Sequence, residues 1–128
     1  MTDVFKQHGA ASWIELITTD AGAAKSFYSQ LLGWTTEDMP MPDGTYSVVK
    51  ANDVGIGGIM SMPPHMAGAP THWGIYITVD DVDATAAKAQ ELGATPLMPP
   101  TDIPDVGRFC TFQDPQGAII SVITYVQR

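Results

Sequence analysis

A repeat within the chain constrains its fold more than any other feature of the sequence. Much of the first half recurs in the second half at a constant offset of 60 residues, without a gap. Two copies at this long period do not fit a solenoid. We therefore expect a single domain over residues 1–128, with similar halves at about 13–60 and 73–124 and a Pro- and Gly-rich connector at 61–71. The identical pairs are Trp13/Trp73, Ile17/Ile77, Thr18/Thr78, Asp20/Asp80, Ala24/Ala84, Gln30/Gln90, Leu32/Leu92, Gly33/Gly93, Thr35/Thr95, Pro40/Pro100, Gly57/Gly117 and Ile59/Ile119.

The first half begins with the pattern of a strand followed by a helix. Residues 13–18 are rich in aromatic and β-branched side chains, which is typical of a strand. On such a strand Trp13, Glu15 and Ile17 share one face. Asp20 or Thr19 can cap the following helix, whose apolar residues recur at helical spacing until Gly33 ends it. Turn residues then separate further strands, and the half is predicted to be β-α-β-β, with room for a short extra strand at 35–39. Glycines in the last of these strands indicate a bulge or a close approach by another group.

The second half repeats this plan. A strand at 73–79 precedes a helix capped by Asp80 or Asp81. A short strand at 95–98 is expected to lead into a loop shaped by prolines up to Pro104, followed by strands at 108–112 and 118–126. Two small sheets, each with a helix packed outside, predict an α+β protein.

Composition excludes several classes of partner. The formal charge is −8, and only six Lys and Arg residues are scattered along the chain, so neither nucleic acid nor an anionic membrane is expected to bind. The longest apolar run, 117–126, is shorter than the roughly 18–20 residues that span a bilayer. The N-terminus lacks the apolar core of a signal peptide, and a lone Cys110 fits a reducing compartment. We therefore expect a cytoplasmic protein.

Three motifs follow one another along the chain and, taken together, resemble one known superfamily. They are Asp20…Phe27-Tyr28…Leu32-Gly33-Trp34, Val79-Asp80-Asp81-Val82-Asp83…Leu92-Gly93-Ala94 and Asp114-Pro115-Gln116-Gly117. The resemblance covers residues 12–126 and is to the vicinal oxygen chelate proteins, which include glyoxalase I, bleomycin-resistance and extradiol dioxygenase proteins. It implies paired βαβββ modules that form a curled mixed sheet around a cavity, with the helices outside, and a homodimer.

The resemblance also implies where a metal would bind. Metal-dependent members place four His, Glu or Gln ligands on the first and last strands of the two modules. None of the corresponding residues here offers an imidazole, thiolate or carboxylate, which divalent transition metals need. We therefore predict no metal and no other cofactor; the less favoured alternative is a rearranged site built from Glu15, His72 and Cys110. The residues at the implied positions are Trp13, Trp73 or Gly74, Ser121, and Met60 or Ser61.

Several side chains are candidates for a binding or catalytic site. Glu15 interrupts an apolar strand and would gain the pKa of a general base if it is buried; it could instead face solvent. His72 could shuttle protons at a cavity mouth or lie on the surface. Arg108 could hold an anionic group, and a local ion pair is its alternative. The predicted ligand-binding residues, for which core packing is the main alternative, are Trp13, Met60, Trp73, Tyr76, Arg108 and Ser121.

Three functions are compatible with these features. The favoured one is a metal-free protein that binds a small, mostly apolar or aromatic molecule in the cavity. The second is a lyase, isomerase or dioxygenase-type enzyme that uses a rearranged metal site or acid–base catalysis by Glu15. The third is a module that only dimerises, without a ligand.

Overall fold

The chain forms two successive βαβββ segments in a computed structural model, which describes residues 3–41, 44–64 and 68–126. This arrangement confirms the predicted α+β fold class. No helix within those ranges is long and apolar enough to cross a membrane. The elements, in chain order, are β1 (Ala11–Thr18), α1 (Ala21–Leu32), β2 (Thr35–Met41), β3 (Gly44–Ala51), β4 (Val54–Ser61), β5 (His72–Thr78), α2 (Val82–Glu91), β6 (Thr95–Ile103), β7 (Gly107–Gln113) and β8 (Ile119–Tyr125).

The chain divides into two compact units that resemble the predicted halves. The first unit comprises Trp13–Gly74, and the second combines the residues up to Ser12 with those from Ile75 onward. The second unit therefore includes the N-terminal residues, which carry no periodic pattern. They are held by backbone hydrogen bonds between Gly9 or Ala10 and Thr78. The single domain over 1–128 stays a prediction.

The first unit packs its sheet against α1. Its strands follow the order β2-β3-β4-β1, in which β1 runs parallel to β4 and the other pairs are antiparallel. Leu16, Val49 and Ile59 form the buried core under the helix. Asp20 caps α1 by accepting a backbone N–H of the first turn, and Gly33 ends the helix in the left-handed region at φ 73°. Both helix signals predicted from the sequence are confirmed.

The second unit has the same plan, but its helix begins one residue later than the repeat offset of 60 residues predicts. Its strands follow the order β5-β8-β7-β6, with β5 parallel to β8. The core includes Val82 of α2 and Cys110 and Val122 of the sheet. Burial raises the pKa of the Cys110 thiol. The helix cap is Asp81 rather than Asp80, so the structural offset from Asp20 is one residue longer than the repeat.

The predicted proline loop is wrong, because most of these prolines lie in a strand. Pro96, Pro99 and Pro100 belong to β6, which extends from Thr95 to Ile103 and pairs with β7 with two register shifts. β6 lies at the outer end of the strand order of its unit. A strand in that position does not need every backbone N–H for pairing, so it tolerates proline. The short strand expected at 35–39 is likewise longer and ends at Met41.

Candidate functional site

The candidate site lies on the sheet of the first unit, on the face that points away from α1. Successive side chains of a strand point to opposite faces. Since Leu16 lies in the core beneath the helix, its neighbours Glu15 and Ile17 must point the other way, together with Trp13. Trp13 and Glu15 are partly buried. The sequence predicted that these residues share a face, and the structure confirms it.

A chain of hydrogen bonds joins three side chains on this face. The indole N–H of Trp13 donates to the hydroxyl oxygen of Tyr46 over 2.9 Å. The Tyr46 hydroxyl in turn donates to Oε2 of Glu15 over 2.9 Å. The hydroxyl therefore accepts from one partner and donates to the other, which fixes the direction of its proton. We call Trp13, Glu15 and Tyr46 the Trp–Tyr–Glu site.

Two consecutive glycines of β4 make this arrangement possible, each in a different way. A Cβ added to Gly58 would lie 2.1 Å from the Cζ and hydroxyl oxygen of Tyr46. Gly58 is paired with Glu15 in the β1–β4 register, so the ring of Tyr46 lies on bare backbone with its hydroxyl beside the carboxylate. A Cβ added to Gly57 would lie 2.2 Å from the carbonyl oxygen of Ile14. The glycine signal in this strand thus marks close approaches, as predicted.

The matching positions in the second unit carry different chemistry. Tyr76 pairs with Ser121 in the β5–β8 register, as Glu15 pairs with Gly58 in the first unit. The Tyr76 ring lies 6.1 Å from the ring of Phe109, centroid to centroid. The buried Ser121 hydroxyl is 2.7 Å from the hydroxyl of Thr111. The carboxylate at this position is therefore not duplicated, and the ligand-binding roles of Tyr76 and Ser121 stay predictions.

Trp13 and Trp73 occupy different environments, although they match each other in the sequence repeat. The Trp73 indole N–H donates to the Tyr28 hydroxyl over 3.2 Å, and its ring lies 6.1 Å from the ring of Trp34. The physical reason is the shifted helix cap, which makes Gly74 rather than Trp73 the structural counterpart of Trp13. The ligand-lining role of Trp73 stays a prediction.

The positions of Met60 and His72 do not by themselves indicate a function. Met60 is partly buried and pairs with Ile17 in the β1–β4 register. Side chains opposite each other on adjacent strands share a face, so Met60 adds apolar surface beside the Trp–Tyr–Glu site. His72 lies with Nδ1 2.8 Å from the carbonyl oxygen of Pro70. A role for His72 in proton transfer stays a prediction.

Arg108 takes part in the local ion pairs that were its alternative interpretation. Its guanidinium donates from Nε and Nη2 to the two carboxylate oxygens of Asp83, at 2.9 and 3.0 Å, and from Nη1 to Asp102 at 3.0 Å. The hydrogen bond from Arg108 lowers the pKa of the Asp83 carboxyl. These residues line an open groove of about 450 Å³ together with Asp80, Asp81 and Asp105. An anionic ligand is disfavoured there, because carboxylates outnumber the one cation.

The donor set does not fit the superfamily's metal site. Within residues 3–41, 44–64 and 68–126, no three His, Cys, Asp or Glu side chains come together in a way that could hold a metal ion. Trp13, at one implied ligand position, uses its indole N–H in the hydrogen bond to Tyr46. Ser121, at another, is buried beside Thr111. Neither group is a ligand that divalent transition metals prefer.

Comparison with known proteins identifies relatives over most of the chain. The family model described as the glyoxalase/bleomycin resistance protein/dioxygenase superfamily matches residues 10–122. A protein of Mycobacterium tuberculosis named as a glyoxylase, CFP32, is 47% identical over 116 residues, which are 90% of this chain and 44% of the relative. The anthracycline biosynthesis protein DnrV of Streptomyces peucetius is 36% identical over 115 residues, which are 90% of this chain and 41% of the relative. The chain thus spans less than half the length of these curated relatives.

Solved structures share the fold at low sequence identity. Methylmalonyl-CoA epimerase from Mycobacterium tuberculosis superimposes with a TM-score of 0.71 at 12% identity, over 99% of this chain and 94% of that chain. The hypothetical protein BH1468 from Bacillus halodurans gives a TM-score of 0.74 at 12% identity, over 95% of this chain and 98% of that chain. At this level of identity the likeness concerns the fold alone.

Proposed function

Because the chain belongs to the glyoxalase/bleomycin resistance protein/dioxygenase superfamily, we propose that it binds a small, mostly apolar or aromatic molecule on the Trp–Tyr–Glu site without a metal ion. The observation that carries this proposal is the hydrogen-bond chain from Trp13 through Tyr46 to Glu15. It lies on the strand face where the superfamily's first metal ligand would stand, and it provides aromatic surface and a carboxylate instead.

The physical properties of the site suit an aromatic ligand. The hydrogen bond to Tyr46 restrains the Trp13 indole, so a ligand that stacks on this ring would not have to order it first. Ile17 and Met60 add apolar surface on the same face. Glu15 places a carboxylate, which accepts hydrogen bonds but does not donate them when ionised, beside this apolar surface. Mostly apolar walls with a few fixed polar groups are typical of small-molecule sites.

The combination of apolar walls with a few fixed polar groups indicates the class of ligand. A planar aromatic molecule with hydroxyl or amino donors would stack on Trp13 and donate to Glu15. Since two relatives are named anthracycline biosynthesis proteins, an anthracycline is a suitable first probe. An anionic ligand is not favoured, because the chain has only six Lys and Arg residues and a net charge of −8.

Acid–base catalysis is the second candidate, and the bond between Tyr46 and Glu15 favours it. A partly buried carboxylate within hydrogen-bond reach of a substrate could remove a proton from it, while the Tyr46 hydroxyl stays in contact with the carboxylate. Glu15→Gln separates the two candidates, since an amide accepts hydrogen bonds but is not a useful base. Both candidates should keep most of their affinity in this variant. An enzyme should show turnover in the unmodified chain and lose it in Glu15→Gln, whereas a binding protein should show no turnover in either form.

A calorimetric titration with an anthracycline tests the proposed function. Tyr46→Phe should weaken binding by about tenfold, because it leaves the Trp13 N–H and the Glu15 carboxylate without the partner between them. Tyr125→Phe is the matched control: its hydroxyl bonds to Ser12 at 2.7 Å in the second unit, and its loss should leave the affinity unchanged. Equal affinities in all three proteins would remove the Trp–Tyr–Glu site from the binding function, and no heat with any planar aromatic probe would favour a module without a ligand.

A further inference from the structure

A lysine of strand β3 lies on the same face of the sheet as the Trp–Tyr–Glu site. Side chains alternate between the two faces of a strand, and Val49 of β3 lies in the core beneath α1. Lys50 therefore points to the other face, which is the face of Trp13 and Glu15. Its ammonium donates to Oε2 of Glu37 on β2 over 2.6 Å. We call Lys50 and Glu37 the Lys–Glu pair.

The Trp13 indole extends from Glu15 towards this lysine. At one edge its N–H donates to the Tyr46 hydroxyl, which in turn donates to Glu15. At the opposite edge, the ring atoms Cζ3 and Cη2 lie 3.9 Å from the position that a Cβ on Gly55 would occupy. Gly55 is the residue of β4 that pairs with Lys50 in the β3–β4 register. A molecule that stacks on the indole would therefore have the Glu15 carboxylate near one edge and Lys50 near the other.

The Lys–Glu pair provides hydrogen-bond donors without a net charge. An ammonium has three N–H donors, and the bond to Glu37 uses one of them. The hydrogen bond to Glu37 and the charge of Glu37 raise the pKa of the Lys50 ammonium, and the charge of Asp53 raises it further, so the group stays protonated at neutral pH. Because Glu37 balances the charge of Lys50, the pair suits a neutral acceptor such as a carbonyl oxygen better than an anion.

We infer that Lys50 is a further ligand-binding residue of the Trp–Tyr–Glu site and that it donates a hydrogen bond to a carbonyl oxygen of the stacked ligand. The inference rests on the proposed function and narrows the ligand class to planar aromatic ketones and quinones that carry a hydroxyl or amino group on the side facing Glu15. The acceptor and the donor of such a molecule match the two opposite edges of the indole. An aromatic hydrocarbon with the same donor would stack and reach Glu15, but it would have no acceptor for Lys50.

Fluorescence titration of the full chain with two probes tests this role of Lys50. Aminoanthraquinone and aminoanthracene share a planar skeleton of three rings and an amino donor, and only the first has carbonyl oxygens. Lys50→Met keeps an apolar side chain and removes the ammonium. It should weaken the binding of aminoanthraquinone by about tenfold, as the loss of a hydrogen bond from a charged donor predicts. The affinity for aminoanthracene should be unchanged.

Lys25→Met is the matched control. Lys25 is paired with Asp38 of β2 at 3.2 Å, so its replacement removes the same charge and the same kind of ion pair. Asp38 also accepts a hydrogen bond from the buried Ser47, which places this pair on the face of the sheet that α1 covers, away from Trp13. The affinities for both probes should therefore be the same in Lys25→Met as in the unmodified chain.

The outcomes separate the role of Lys50 from the proposed function itself. Tyr46→Phe should weaken the binding of both probes, whereas Lys50→Met should affect aminoanthraquinone alone. The role of Lys50 would be overturned, and the Trp–Tyr–Glu site retained, if Lys50→Met weakened neither probe, weakened both equally, or were matched by an equal loss in Lys25→Met. Failure of both probes to bind the unmodified chain would overturn the proposed function, and the role of Lys50 with it.

Discussion

Gly57→Ala should destabilise the chain by about 3 kcal/mol, because the added methyl group would clash with backbone. The added Cβ would lie 2.2 Å from the carbonyl oxygen of Ile14, which is a backbone atom of the neighbouring strand. Ile14 and Gly57 are paired in the parallel β1–β4 register. The clash can be relieved only by separating the two strands, and this would also disturb the core contact between Leu16 and Ile59. Urea unfolding followed by circular dichroism measures the loss.

Gly55→Ala is the matched control in the same strand. Its added Cβ would lie 3.8 Å from the nearest atom, a methyl group of Val48, which is an ordinary van der Waals distance. Gly55 does not require a positive φ. Alanine there should therefore be neutral or stabilise the chain by about 0.5 kcal/mol, because it restricts the unfolded state. If Gly57→Ala were as stable as Gly55→Ala, the close pairing of β1 with β4 would be wrong.

Gly58→Ala should preserve the fold and damage the Trp–Tyr–Glu site. The added Cβ would lie 2.1 Å from the end of the Tyr46 side chain, which can rotate away where a backbone carbonyl cannot. Rotation removes the hydroxyl from between Trp13 and Glu15. We expect a loss of about 1–3 kcal/mol in unfolding free energy and a fall of about tenfold or more in ligand affinity.

A double-mutant cycle isolates the cause of this effect. In a Tyr46→Ala background the ring is absent, so Gly58→Ala should cost at least about 1 kcal/mol less than in the unmodified chain. Unfolding free energies of the four proteins of the cycle give this coupling. Simple additivity of the two changes would mean that the ring does not rest on Gly58, and the arrangement of the site would need revision.

The fold could be predicted from the repeat because its signals are local and occur twice. The cap at Asp20, the left-handed Gly33 and the alternation in β1 each depend on a few neighbouring residues, and the structure confirms all three. The course of β6 could not be predicted in the same way. Three prolines are typical of a loop unless the strand is known to be the outermost, and strand order is a property of the whole unit.

The site could be predicted only in part, for a related reason. Alternation along β1 places Trp13 and Glu15 on one face, and no cross-strand information is needed. Tyr46 was missed because its contact with Glu15 depends on the register of β3, β4 and β1 and on the bare backbone at Gly58. A glycine opposite a carboxylate on the neighbouring strand is the signal that would have pointed to a ring between them. The sequence could not decide between Trp73 and Gly74 as the counterpart of Trp13, because the repeat offset and the structural offset differ by one residue at the helix cap.

One titration tests the proposed function most directly: calorimetry with an anthracycline before and after exhaustive treatment of the chain with a metal chelator. The Trp–Tyr–Glu site contains one carboxylate, an indole and a phenol, and no three potential metal ligands converge within the described ranges. We therefore predict binding with the same affinity and stoichiometry in both samples. Binding that disappears on chelation and returns with a divalent metal ion would contradict the proposal of a metal-free site.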